Sequence, residues 1–141
     1  MRQILLIIPL LAAALLAGCG CSADRFPSSV DIELAEPQPP STYSFTVCVD
    51  EGCTQFTDVP SNGEDGVRGM DYLNTTDDGI HYSTFHAIAP GQHHLSVILA
   101  NPDGTVLSFD GDLDFEPVDR CHDTDSRVTL KADQLTAGAG N

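Results

Sequence analysis

The chain has 141 residues, with 21 acidic side chains against 6 basic ones and a formal charge of −15. A surface this acidic repels phosphate backbones and anionic lipid heads, which argues against binding to nucleic acid or lying directly on a bilayer. Trp is absent and aromatic residues make up 6% of the chain, so a stacking platform for sugars is unsupported, while the length suits one domain with a real core.

Arg2 and the free amine open the chain with positive charge. Residues 4–16 are apolar throughout apart from Pro9, and the small residues Ala17 and Gly18 precede Cys19. A charged start, a short apolar run and small residues at its end make the layout of a secretory signal helix, residues 1–18, which is set apart from the folded domain. The run is too short for a permanent span, which takes about 20 apolar residues. Ending on Leu16-Ala17-Gly18-Cys19, it resembles a bacterial lipoprotein signal, and the resemblance covers residues 1–19 alone. The resemblance implies that the Cys19 sulfur carries a diacylglycerol with fatty acyl chains such as palmitate. It also implies that cleavage makes Cys19 the first residue, tethered to a cell membrane on its extracytoplasmic face. Two acyl chains are enough for stable anchoring, where one is marginal. No twin-Arg pair is present, which points to the general export route.

Outside the cytoplasm thiols are usually oxidised. With Cys19 given to the lipid, Cys21, Cys48, Cys53 and Cys121 remain, and four cysteines allow three pairings. Residues 19–28 read as a short polar tether. Residues 29–34 alternate apolar and polar, the period of a half-buried strand. Pro37, Pro39 and Pro40 then force an open connection.

Tyr43, Phe45, Val47 and Val49 share one face of the next strand. Folding it back with Asp50-Glu51 as a two-residue loop sets Cys48 opposite Cys53, Val47 opposite Thr54 and Phe45 opposite Phe56. The apolar sets then fall on one face, which is the test of a register. In that register the two cysteines form a non-hydrogen-bonded pair, whose Cα atoms come close enough for a disulfide. Asp50 and Glu51 are poor turn formers, since neither takes positive φ as readily as Gly. Cys21 with Cys121 follows by subtraction. A redox-active Cys48–Cys53 pair is disfavoured, because the spacing is C-x4-C and not C-x2-C.

Residues 60–79 read as a long loop rich in glycine and acid, in which Val67, Met70, Tyr72 and Leu73 make at most one short element. Long loops in compact domains are often functional, so this is where a ligand or partner is expected. Ile80, Tyr82, Thr84, His86 and Ile88 alternate as a strand, and Pro90-Gly91 turns it. Residues 94–100 and 105–109 flank Asn101-Pro102-Asp103-Gly104, a type I turn followed by a G1 bulge. Residues 112–116 alternate with an acidic outer face, 118–126 connect, 127–131 form the last strand, and 132–141 read as a flexible tail.

Short strands with regular turn signals predict an all-β fold over residues 29–131, an antiparallel sandwich of about seven to eight strands. Pro90-Gly91-Gln92-His93-His94-Leu95-Ser96-Val97-Ile98-Leu99 and residues 101–106 resemble the last hairpin of immunoglobulin-like and prealbumin-like modules of bacterial surface proteins. The core Trp of antibody domains is missing.

Chemistry is thinly marked. Asp110, Asp112 and Asp114 alternate but lack the glycine and distal Glu of an EF-hand loop, so they read as a charged outer face that blocks edge pairing. His81, His86, His93, His94 and His122 carry no zinc spacing, and His93 and His94, being adjacent, point to opposite faces of a strand. No nucleophile elbow, P-loop or dinucleotide motif occurs. The expectation is therefore a lipid-anchored envelope module that binds or supports a partner protein, with no enzyme activity, cofactor or assigned metal residue. The alternative is a lipoprotein that binds calcium or another metal through the acidic face or the histidines.

Overall fold

The computed structural model describes residues 26–36, 42–60, 66–119, 121 and 123–139. The expected signal helix of residues 1–18, Cys19, Cys21 and His122 lie outside the described residues.

The described chain is all-β. Its strands are β1 (Ser28–Glu33), β2 (Thr42–Val49), β3 (Gly52–Pro60), β4 (Gly66–Arg68), β5 (Asp71–Thr76), β6 (Gly79–Thr84), β7 (Gly91–Ala100), β8 (Thr105–Pro117), β9 (Ser126–Leu130) and β10 (Thr136–Ala139). They form one continuous sheet in the order β3-β2-β7-β8-β9-β1-β6-β5-β4, with β10 added to β8. All pairings are antiparallel except β1 with β9, which is parallel, so the sheet is mixed.

β8 makes the bend. Residues Val106–Phe115 pair with β7, and only Glu116 and Pro117 pair with β9. Changing partner at its end lets one strand serve both halves of the sheet. The halves face each other across a single core: the Tyr43 hydroxyl bonds Thr75 Oγ1, and the Phe56 and Tyr82 rings meet edge to face at 6.3 Å. The edge strands then nearly close the sheet on itself. The Arg68 guanidinium donates to the Gln55 carbonyl, and the Thr54 hydroxyl donates to Asp71 at 2.8 Å. Side chains thus bridge a seam that no backbone ladder spans.

Period-two patterning explains most of this. Val30 and Ile32, Tyr43, Phe45 and Val47, Leu95, Val97 and Leu99, and Val128 and Leu130 are the buried apolar members of their strands. The β2–β3 register is the one the sequence predicts, with Cys48 opposite Cys53 and Phe45 opposite Phe56. The Asn101–Gly104 turn also forms as expected: Gly104 has φ +88°, and Gly104 N–H donates to Asn101 O at 3.0 Å.

Four segments differ from expectation. The strand expected over Ile80–Ile88 ends at Thr84, and residues 85–90 form a connection outside any strand. Residues 60–79 are not one loop: β4 and β5 lie within them, and β5 pairs fully with β6. The inward residues of β5 are Asp71, Leu73 and Thr75, and two of these three are polar, so hydropathy hides the strand. Residues 105–109 and 112–116, expected as two pieces, lie in one strand of 13 residues, Thr105–Pro117. The expected flexible tail contributes a 3₁₀ turn at Ala132–Gln134 and the strand β10, and Leu135 between them packs on the core. On the side away from β7, β8 pairs with β10 over Thr105–Ser108 and with β9 at Glu116 and Pro117.

Candidate functional site

The β2–β3 turn is the starting point. Asp50 has φ +53°, a conformation that Asp adopts more readily than most residues but still at some strain. Contacts with β7 hold it there. The Asp50 N–H donates to His94 O at 2.8 Å, and its carboxylate accepts from the His94 N–H at 3.1 Å and faces His93 Nδ1 at 2.7 Å. The weak turn chemistry of Asp50-Glu51 is therefore offset by partners more than forty residues away. His93 Nε2 faces the Ala89 carbonyl at 2.7 Å, and the ring packs edge-on against Phe115 at 5.2 Å.

The connection between β6 and β7 forms the opposite wall. Two fully buried serines fasten it: Ser28 Oγ accepts from Ile88 N–H at 3.3 Å and Ser126 N–H at 3.2 Å, and Ser126 Oγ donates to Ile88 O at 2.7 Å. Between this wall and the turn lies a cleft of about 410 Å³. Val47, Val49 and Ile88 supply its apolar surface, and Thr54, Tyr82, Thr84, His86 and His93 supply polar groups. Burial raises the Tyr82 phenol above its ordinary range, so it stays a neutral donor to Asp71, at 3.2 Å. Asp71 thus gathers Tyr82 and Thr54 at the place where the sheet almost closes.

Charge is arranged on both faces of β7. Partial burial pushes the His93 imidazole down, but the hydrogen bonds to Asp50 and the Ala89 carbonyl, with the Asp50 charge, outweigh it and leave the net pKa raised. Bonding to His93 lowers Asp50 in return, helped by the His94 backbone. On the outer face His94 Nδ1 meets Asp112 at 2.8 Å and Nε2 meets Asp110 at 3.4 Å, and the Asp112 bond chiefly raises its pKa. The two adjacent histidines point to opposite faces, as strand geometry requires. His81 pairs with Asp31 at 2.5 Å on a different part of the sheet, and that bond raises its pKa.

The structure therefore separates the residues that sequence singled out. Cys48 and Cys53 are bonded, with Cα atoms 4.0 Å apart, and Cys53 lines the cleft. Cys121 is also disulfide-bonded; the Cys21 half of the expected second bridge lies outside the described residues. Asp110, Asp112 and Asp114 are exposed along β8, two of them spent on His94. His86 stands at the cleft and does not meet His94. Among the described residues no three His, Cys, Asp or Glu side chains gather as a metal site. The Asp50–His93 pair has the outline of a catalytic dyad. Yet the nitrogen that would serve a nucleophile is engaged with the Ala89 carbonyl. Sequence reasoning missed the cleft, because its walls come from β2, β3, β6 and the β6–β7 connection.

Replacing both Cys48 and Cys53 by alanine is expected to lower stability by about 2 kcal/mol at most, since the closed loop is short. The clamp from Asp50 to β7 persists without the bond. Equilibrium urea unfolding of the double variant measures the loss.

No family model, no curated protein and no solved structure matches this chain.

Proposed function

We propose that the chain is a lipid-anchored protein on the extracytoplasmic face of a bacterial cell membrane, serving as a non-catalytic binding or supporting module of the envelope. The observation that carries this reading is Leu16-Ala17-Gly18-Cys19 closing a short apolar run behind a positive start. Two features support it. The Cys48–Cys53 bond is of the kind kept outside the cytoplasm. The excess of acidic over basic side chains, 21 against 6 in the full chain, holds the domain off anionic lipid and nucleic acid, so the acyl group on Cys19 is the contact with the bilayer.

The curled sheet is read as a variant of the immunoglobulin-like or prealbumin-like sandwich, with β3-β2-β7-β8 and β9-β1-β6-β5-β4 as its two layers. Within it the cleft of about 410 Å³ is the place for a ligand or a partner's side chains, a size in the range of small-molecule sites. An envelope protein is the partner class that fits a tethered module.

The test is chemical. Mass spectrometry of the protein isolated from membranes is expected to find residue 19 as an acylated N-terminal Cys. Labelled fatty acid is expected to enter the wild type and to be lost completely in Cys19→Ser. A bare Cys19 thiol with residues 1–18 still attached would overturn the anchor, the location and the module reading together.

A further inference from the structure

His93 joins two segments that border the cleft. Its Nδ1 faces the Asp50 carboxylate at 2.7 Å, and its Nε2 faces the Ala89 carbonyl at 2.7 Å. Both partners are acceptors only. A neutral imidazole carries one N–H, so it satisfies one of these oxygens and turns a lone pair against the other. The imidazolium donates to both. The geometry therefore fits the charged ring and misfits the neutral one.

We propose that His93, as an imidazolium, is a proton-operated clasp in the lining of the cleft, pinning the β2–β3 turn to the β6–β7 connection and releasing the connection when it loses its proton. The clasp exists whether or not a ligand occupies the cleft, so it does not depend on the binding reading above.

The order of release follows from acceptor strength. A carboxylate accepts a stronger hydrogen bond than a neutral carbonyl. The last proton therefore stays on Nδ1, with Asp50, and Nε2 presents a lone pair to Ala89. Asp50 keeps its two main-chain bonds to His94, so the turn stays in place. Ile88 stays fastened by Ser28 and Ser126. The Ser126 hydroxyl also lies 3.5 Å from the Ala89 oxygen, but its one proton goes to Ile88 O at 2.7 Å, so the moving part is Ala89 and Pro90, next to Gly91, whose φ of +127° glycine takes without strain.

The charged groups around the ring set its limits. The turn brings Asp50, with the exposed Glu51 next in the chain, and the connection brings His86. On its own strand His94 follows, held by Asp110 and Asp112 of β8. The β8 residues packed or paired with His93 are Phe115 and Leu113, which do not titrate. The folded-state pKa of His93 is raised, so its contribution is complete below the ordinary histidine value of about 6.5 and is lost as pH rises through the folded value. Asp50 is lowered, so its contribution is present above the ordinary carboxylate value of about 3.9 and is lost as pH falls through its own depressed value. The clasp is closed between those two limits.

Nitrogen-15 NMR of the full chain in detergent micelles tests this across pH 5 to 9. The His93 ring is expected to titrate with a midpoint above about 6.5. The Ala89 and Gly91 amide signals are expected to move with the same midpoint, and Ile88 is expected to stay still. His93→Gln is expected to abolish that movement, and Asp50→Asn to lower the His93 midpoint by roughly one unit. A His93 midpoint at or below the ordinary value overturns the clasp. So does an Ala89 titration that persists unchanged in His93→Gln.

Discussion

Truncating Phe45 to alanine is expected to remove about 3–5 kcal/mol of folding stability, the range for a large aromatic cut from a packed core. Phe45 has no exposed surface. It sits mid-way along β2, opposite Phe56 on β3 and Leu99 on β7, and its ring lies 6.5 Å from that of Phe56. β2 is flanked on both sides, so its neighbours cannot collapse into the vacated space without breaking ladders. The effect is large against the roughly 5–15 kcal/mol that holds a domain of this kind together. Urea unfolding reads it as a lower midpoint at unchanged slope. Ile98→Ala on the neighbouring strand is the control: that side chain is 44% exposed, and its removal is expected to shift stability by under about 1 kcal/mol. Equal losses from the two variants would mean that the inward and outward faces of this half of the sheet are wrongly assigned.

Gly79→Ala is expected to destabilise by about 3 kcal/mol or more, the upper end for overpacking. Gly79 pairs with Glu33 at the edge of the β1–β6 ladder. A methyl group there falls well inside contact distance of the Ile32 carbonyl oxygen and 3.1 Å from its carbon. Both atoms are backbone, so no rotamer change relieves the clash. β1 is held by β6 on one side and by β9 on the other, and pushing it away strains both ladders. Gly138→Ala is the matched control, since nothing lies near its methyl position. Thermal unfolding separates the two: Gly79→Ala lowers the melting temperature by many degrees, and Gly138→Ala leaves it nearly unchanged.

These two sites show different degrees of legibility. The burial of Phe45 is readable from Tyr43, Phe45 and Val47 alternating against Ser44, Thr46 and Cys48, because side chains of a strand alternate between core and solvent. The role of Gly79 is not readable, because it depends on how closely Ile32, forty-seven residues earlier, approaches it. The same contrast runs through the cleft. Cys48 and Cys53 were placed opposite each other by a local register, which hydropathy and chain reversal decide between them. Asp71 and Thr75 are polar residues on an inward face, and only their partners, Thr54, Tyr82 and Tyr43, make that burial tolerable.

By itself the sequence determined the acidic character, the all-β class, the inward faces of β1 and β2, the Cys48–Cys53 pair and the expectation of an acylated Cys19. All of these rest on composition, on a period of two, or on residues close in the chain. The tertiary structure alone decided that β1 runs parallel to β9, that β8 bends one sheet into two facing halves, and that His93 ties the turn at Asp50 to Ala89. Each of those joins segments far apart in the chain, and long-range pairing is selected by how whole faces pack and by which polar groups find partners. No local pattern carries that information.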